Sequence, residues 1–233
     1  MLKVVAKADP PKLSHNLLGQ RLGRKGRDTR ERILAATAQL LEEPADTPIS
    51  LSAVAREASL GMTTLYLYFT DLTELLMAAL EPIVASAEEA YIAHLRARWP
   101  DAELGAHCVA FVREYHAFWK RHTRILHLRN SLADANDARM RLYRIQMSQP
   151  IIQLIVSQMD GDPALHRTPS ANMAAVILTS IERVVTVTTD AYFPHLQIED
   201  PVVHIGNLLK AEGRLLELAV RDRRAAAAAA AIS

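Results

Sequence analysis

SLSAVAREASLGMTTLYLYFTD, residues 50–71, reads as two short helices separated by a tight turn. Ser50 is placed to cap a helix that offers Leu51, Val54, Ala55 and Ala58 to a core at helical spacing. Ser59-Leu60-Gly61 then breaks the pattern, with Leu60 able to plug the angle between two helices and Gly61 removing a side chain where the backbone turns. A second helix is expected over 62–69. Leu65 and Phe69 form its inward i,i+4 seam, leaving Met62, Thr63, Thr64, Leu67 and Tyr68 on or beside the other face. It carries no Lys or Arg, and a helix this short needs tertiary packing to persist.

Upstream, Asp28 and Glu31 have capping-box spacing, and Ile33, Leu34, Thr37, Leu40 and Leu41 recur at helical intervals, so a helix is expected over 29–43, ended by PADTP at 44–48. Residues 1–27, with Pro10, Pro11, Gly19, Gly23 and Gly26, read as an irregular arm. Residues 1–32 hold nine Lys/Arg against three acids, whereas 33–80 hold only Arg56 against six. Basic charge is thus gathered in a segment able to follow a phosphate backbone.

A stabilising helix, two short helices and a basic arm make a helix-turn-helix DNA reader. Threonine and tyrosine hydroxyls reach phosphate oxygens, and Met62 and Leu67 suit thymine methyl groups. Across 29–80, IxxATAQLLEE followed by LSAVAREASLGMTTLYLYFTDLTELL resembles the N-terminal half of the TetR/AcrR family of bacterial transcriptional regulators. Ala58, Thr64, Leu65, Tyr66, Tyr68 and Phe69 match that pattern in register; Ser59 replaces a glycine, Gly61 stands at the polar cap position, and Leu72 stands where the family commonly has a DNA-clamping lysine. The resemblance implies phosphate contacts from Thr64, Tyr66 and Tyr68 and base-edge approach by Met62, Thr63 and Leu67. Arg24, Lys25 and Arg27 are the cations available to offset Leu72, and Ser50 completes the candidate DNA-binding set.

Downstream the chain reads as helix after helix, so the fold expected is all-α. Asp71 and Glu74 open a helix reaching about Arg98, with Pro82 inside it as a kink. Further helices are expected near 102–120, 122–130, 134–158, 170–189 and 201–223. The β-branched run VVTVTTD at 184–190 continues the spacing of Met173, Ile177, Ile181 and Val184 and fits a helix better than a strand. Asn130, Asp134, Asn136 and Asp137 read as a capping loop, and Ala225 to Ala231 as a tail with little to bury. The domains expected are an arm (1–27), a helix-turn-helix domain (28–73), a helical ligand-binding and dimerisation domain (74–224) and an alanine-rich tail (225–233).

Half of the 233 residues are apolar and the formal net charge is +1, enough to bury a sizeable core. A lone Cys108 excludes a disulfide framework and, with no long apolar run or signal-peptide core, points to a cytoplasmic protein without a membrane partner. His94, His107, His116, His122 and His127 lack the close pairing of a zinc site, so no metal or cofactor is expected. No nucleophile elbow, glycine-rich phosphate loop or HExxH is present, which argues against an enzyme.

A single reading helix covers few bases, so a homodimer setting two of them ~34 Å apart on a near-palindrome is the economical solution. Met173, Ile177, Ile181, Val184 and Thr188 form one interface stripe, and Val202, Ile205, Leu208, Leu209, Leu215, Leu216 and Ala219 another. The resemblance implies that the intervening helices enclose a small-molecule effector whose binding releases operator DNA, as in a repressor. Candidate effector contacts are His116, Phe118, Trp119, His122, Leu126, His127, Met140, Tyr143, Met147 and Ile151, which mix apolar surface with sparse polar groups. Alternatives are an activator, a regulator controlled by a protein partner, and a helical interaction module that does not bind DNA.

Overall fold

The computed structural model describes residues 23–43, 47–195 and 199–230, and every regular element among them is helical. The chain folds as two compact units, Met1–Ala79 and Leu80–Ser233. The division falls inside a helix, beyond the expected boundary at 73/74.

In the first unit, α1 spans Arg24–Glu42 and starts at Gly23, with no side-chain cap. The expected Asp28–Glu31 box therefore lies within the helix, and the last residues assigned to the arm are helical. Gly26 and Arg27 N–H groups donate to the Gly23 carbonyl, both at 3.1 Å; Arg and Lys are good helix formers, so nothing stops the ladder before Gly23. Residues 1–22 of the expected arm lie outside the described residues. α2 spans Leu51–Glu57, and the Ser50 hydroxyl accepts from Ala53 N at 3.2 Å, as the sequence indicates.

The turn is built differently from the expectation. Ser59, not Gly61, takes the left-handed conformation, with φ 51°. Its N–H donates to Arg56 O at 3.0 Å and that of Leu60 to Ala55 O at 2.8 Å, which is the Schellman closure of a helix. Gly61 is extended and caps the next helix by position only. That helix, α3, spans only Met62–Leu65; beyond it the bonds Leu67 N to Thr64 O and Tyr68 N to Leu65 O skip to three-residue spacing.

α4 spans Leu72–Ala87 and continues through Pro82. Asp71 accepts from Glu74 N at 2.9 Å while Glu74 takes the Thr70 N–H at 2.7 Å, so the expected cap forms. Rather than reaching Arg98 as one α-helix, the segment passes into a π-helical turn, Glu88–Ile92, and a 3-10 turn, Ala93–Leu95. Ile33, Ala36, Leu40, Val54, Ala55, Ala58, Leu65 and Phe69 of the first unit bury together with Leu75 and Ala78 of α4.

The second unit adds α5 (Leu104–Arg121), α6 (Thr123–Asp134), α7 (Ala138–Gln158), α8 (Pro169–Thr188) and α9 (Pro201–Ala230). Asn130 and Asp134 belong to α6 rather than to a loop; Asn136 makes the left-handed turn, and Asp137 caps α7 by accepting from Met140 N at 3.0 Å. Thr168 caps α8 with Pro169 in its first turn. By length and composition α8 could cross a membrane, yet Ala174, Ile177, Leu178, Ile181 and Val185 are buried in this unit. α5 and α9 run antiparallel and close together: Gly105 faces Glu217, and a Cβ on Gly213 would meet Val109 Cγ2 at 2.6 Å.

α9 reaches Ala230, so the alanine stretch expected as a tail from Ala225 is mostly helix. Arg224, just before it, is buried and donates to Gln158 O at 2.7 Å, Trp99 O at 3.0 Å and Asp101 Oδ1 at 2.5 Å. Gln158 in turn donates to the carbonyls of Leu95 and Ala97. These bonds tie together the end of α7, α9 and the chain just after the 3-10 turn.

Candidate DNA-reading surface and effector cavity

On α3 and the turn after it, Leu65 and Phe69 point inward and are buried, fixing which groups face outward. Thr63 is exposed and Tyr66 is 49% exposed. Thr64 and Leu67 are half-buried; Met62 and Tyr68 are partly packed on the core of the unit. The structure thus brings the candidate reading residues onto one short segment, with Thr63 and Tyr66 most accessible. Arg24, Lys25 and Arg27 are exposed on the first turns of α1. Ser50 is engaged in its cap and lies 3.0 Å from the Ser52 hydroxyl.

Sequence reasoning passed over Arg30. Its guanidinium lies 5.4 Å from the centroid of the Phe69 ring, so a cation is held where α1 meets the end of the reading segment. No local signal separates it from other arginines, since the contact joins residues far apart in the chain. Exposed hydroxyls, a phenol and flanking cations suit hydrogen bonding and charge contact with a polyanion.

In the second unit a cavity of about 620 Å³ opens between α6 and the C-terminal half of α8. Its wall includes His127 and Asn130 of α6, Glu182 and Thr186 of α8, and Asp190 and Phe193 beyond it. Of the ten effector candidates only His127 lines it. Phe118, Trp119, Leu126, Met140 and Ile151 are buried. They use their apolar surface to hold helices together; Phe118, for instance, packs edge-on to Tyr91 at 5.2 Å. Tyr143 and Met147 are half-buried on α7. His122 is half-buried with its ring edge on Phe118 at 4.9 Å, and His116 Nε2 is buried without a hydrogen-bond partner.

Burial lowers the pKa of His127, against the pull of Asp190, so the imidazole on the cavity wall is neutral near pH 7. Its Nε2 lies 3.1 Å from the Thr189 hydroxyl, which itself donates to Val185 O at 2.8 Å. Burial also drives the phenol of Tyr115 well above its ordinary pKa. That phenol donates to Glu182 Oε1 at 3.1 Å. Buried Cys108 is likewise pushed up to about 12 by burial, as suits an inert core thiol.

Two histidines expected to be apart meet: His94 Nε2 is 3.0 Å from His107 Nδ1, and His94 Nδ1 is 2.9 Å from Glu114. Among the described residues no group of three or more His, Cys, Asp or Glu side chains is arranged to hold a metal ion.

The two interface stripes divide on folding. Ile177, Ile181, Thr188, Leu209, Leu216 and Ala219 are buried within the chain itself, and Met173, Val184, Ile205 and Leu208 are half-buried. Val202 and Leu215 remain exposed, joined by Val176, Val203 and Leu218, which the periodicity did not single out. A helical stripe reports burial but not whether the partner is the same chain or another copy.

No family model matches the chain, and no curated protein matches it. Solved structures do. SCO7518 of Streptomyces coelicolor A3(2), described as a transcriptional regulator, is 21% identical with TM-score 0.56, over 81% of this chain and 98% of that one. A TetR-family transcriptional regulator from Streptomyces coelicolor is 16% identical with TM-score 0.58, over 88% and 90%. NalD, the secondary repressor of the MexAB-OprM multidrug efflux pump in Pseudomonas aeruginosa, is 19% identical with TM-score 0.50, over 81% and 96%. At these identities the likeness establishes the fold: an all-α chain with N-terminal helices followed by a larger helical bundle, related to that of TetR-type regulators.

Proposed function

We propose that the chain is a ligand-responsive DNA-binding regulator, acting as a homodimeric repressor that leaves a near-palindromic operator when a small molecule occupies the second unit. The observation that carries this reading is the α2–Ser59–α3 arrangement, with Leu65 and Phe69 inward and Thr63 and Tyr66 outward. Thr64, Tyr66 and Tyr68 then contact phosphates, while Met62, Thr63 and Leu67 approach base edges. Arg24, Lys25, Arg27 and Arg30 supply the charge that the reading segment lacks. The exposed apolar residues of α8 and α9 form the contact with a second copy, and the cavity beside α6 and α8 takes the effector. Release requires that effector to bind better to the protein in its DNA-free form, so operator DNA must weaken effector binding by the same factor.

Selection of bound sequences from a random double-stranded DNA pool at two salt concentrations tests the reading. Recovery of a near-palindrome, bound less tightly at higher salt, is the expected result. A folded dimer that enriches no sequence at either salt would count against it.

A further inference from the structure

The wall of the cavity is rich in hydrogen-bond acceptors. Thr179 spends its hydroxyl proton on Ala175 O at 2.8 Å and Thr186 on Glu182 O, so both turn only lone pairs to a ligand. Because the Thr189 proton goes to Val185 O, His127 Nε2 is the donor of their contact, which leaves Nδ1 of the neutral ring an acceptor. Three carboxylates, Asp134, Glu182 and Asp190, also line the cavity, against one guanidinium, Arg183. Asp134 is taken by Arg144 at 2.8 Å. Among the described residues the Glu182 carboxylate accepts only the Tyr115 hydroxyl and the Asp190 carboxylate only the Tyr192 N–H, and neither has a cation within 4.0 Å. Phe193 adds an aromatic surface.

Such a wall rewards a ligand that brings donors and positive charge, since an unpaired carboxylate in a concave site gains most from a cation. One of the two free carboxylates is also connected inward. Glu182 holds the Tyr115 hydroxyl; the Tyr115 ring meets Tyr91 edge-on at 4.9 Å; and Tyr91 sits in the π-helical turn that continues α4. A π turn carries one residue more than the α-helical turn it replaces, so a one-residue shift of its hydrogen bonds is the kind of change such an element can undergo.

We propose that this cavity binds an organic ammonium ion with Glu182 as the anchoring carboxylate, and that occupancy is passed through Tyr115 and Tyr91 to the π-helical turn at the end of α4. Tyr115 holds one oxygen of Glu182, and a cation drawn to the carboxylate turns it toward the cavity and loosens that bond. The ring of the buried phenol is the surface against which Tyr91 rests. The consequence for DNA rests on the regulator reading above; the binding step and the change in the turn do not.

The test uses the full chain with benzylammonium and spermidine as probes, and benzoate and phenylacetate as matched anions at constant ionic strength. Thermal midpoints and calorimetry read binding, and amide hydrogen exchange reads residues 88–95. The expected result is that at least one cation binds and alters exchange at 88–95, that Glu182→Gln weakens it tenfold or more, and that Asp190→Asn weakens it less. Tyr115→Phe keeps the binding but loses the exchange response, which a merely structural role for the hydroxyl would not produce. Binding of the anions alone, of none of the four, or of a cation equally by Glu182→Gln overturns the site, with circular dichroism confirming that each variant is folded. An exchange response that survives in Tyr115→Phe overturns the route. Cation binding by a protein that selects no DNA leaves this proposal standing and removes the regulator reading.

Discussion

The backbone N–H of Leu60 donates to the carbonyl of Ala55 at 2.8 Å, closing α2 across Ser59, which stands at φ 51°. A side chain in that left-handed position costs about 1–2 kcal/mol, and glycine avoids the cost. Ser59→Gly is therefore expected to raise stability by roughly 1 kcal/mol, less whatever the more flexible unfolded chain takes back. Chemical unfolding measures it, and a destabilised variant would mean that the serine hydroxyl holds the turn.

On DNA, the candidate contact residues of the α3 segment should separate into two kinds. Tyr68→Phe is expected to weaken binding to all sequences alike, by about tenfold for one lost charge-assisted bond. Thr63→Ala or Leu67→Ala should instead change the preference between two operators. Measuring each variant on both operators decides the matter; equal effects from the Thr63 and Tyr68 changes would refute the assignment.

Adjacent leucines of α9 should behave in opposite ways. Leu216 is 0% exposed and Leu215 48%. Leu216→Ala removes core packing and should cost about 2–5 kcal/mol in unfolding free energy. Leu215→Glu should leave the fold intact and break self-association, as read by sedimentation. An unfolded Leu215→Glu or a monomeric wild type would each contradict the proposed interface.

Arg224 joins three segments through the carbonyls of Gln158 and Trp99. Arg224→Met should destabilise the chain by about 2–4 kcal/mol, since each buried acceptor left unsatisfied costs about 1–3 kcal/mol. Faster amide exchange in 95–101 is the accompanying local sign.

Stability should fall on acidification through the imidazole range. Burial lowers the pKa of His116, His122 and His127, with Lys120, Arg121 and Arg129 respectively adding repulsion and Asp190 opposing it at His127. The unfolded chain therefore takes up more protons than the folded one, so the contribution is complete above the unfolded value of about 6.5 and is lost as pH falls through the lower folded values. His127→Gln should flatten the dependence of the unfolding free energy on pH below about 6.5.

Local chemistry determined a good deal from the sequence alone. The Ser50 cap, the Asp71–Glu74 pair and the apolar spacing of Ile33, Leu40, Val54 and Leu65 depend on residues within a turn or two of each other, so the helical character and the order of elements were legible. Tertiary structure decided the rest. Ser59 takes the left-handed turn although Gly61 is the better local candidate, because the Schellman bonds must close directly after α2. α3 stops at Leu65, and the segment after α4 widens into a π turn with Tyr91 against Phe118 and Tyr115. Ile181 and Leu216 turned inward while Val176 and Leu218 stayed outside, and the cavity gathered polar residues of α6 and α8 rather than the aromatic residues of α5. Periodicity shows that a face is buried; which helix covers it, and where the covering leaves a gap, follows only from packing between residues distant in the chain.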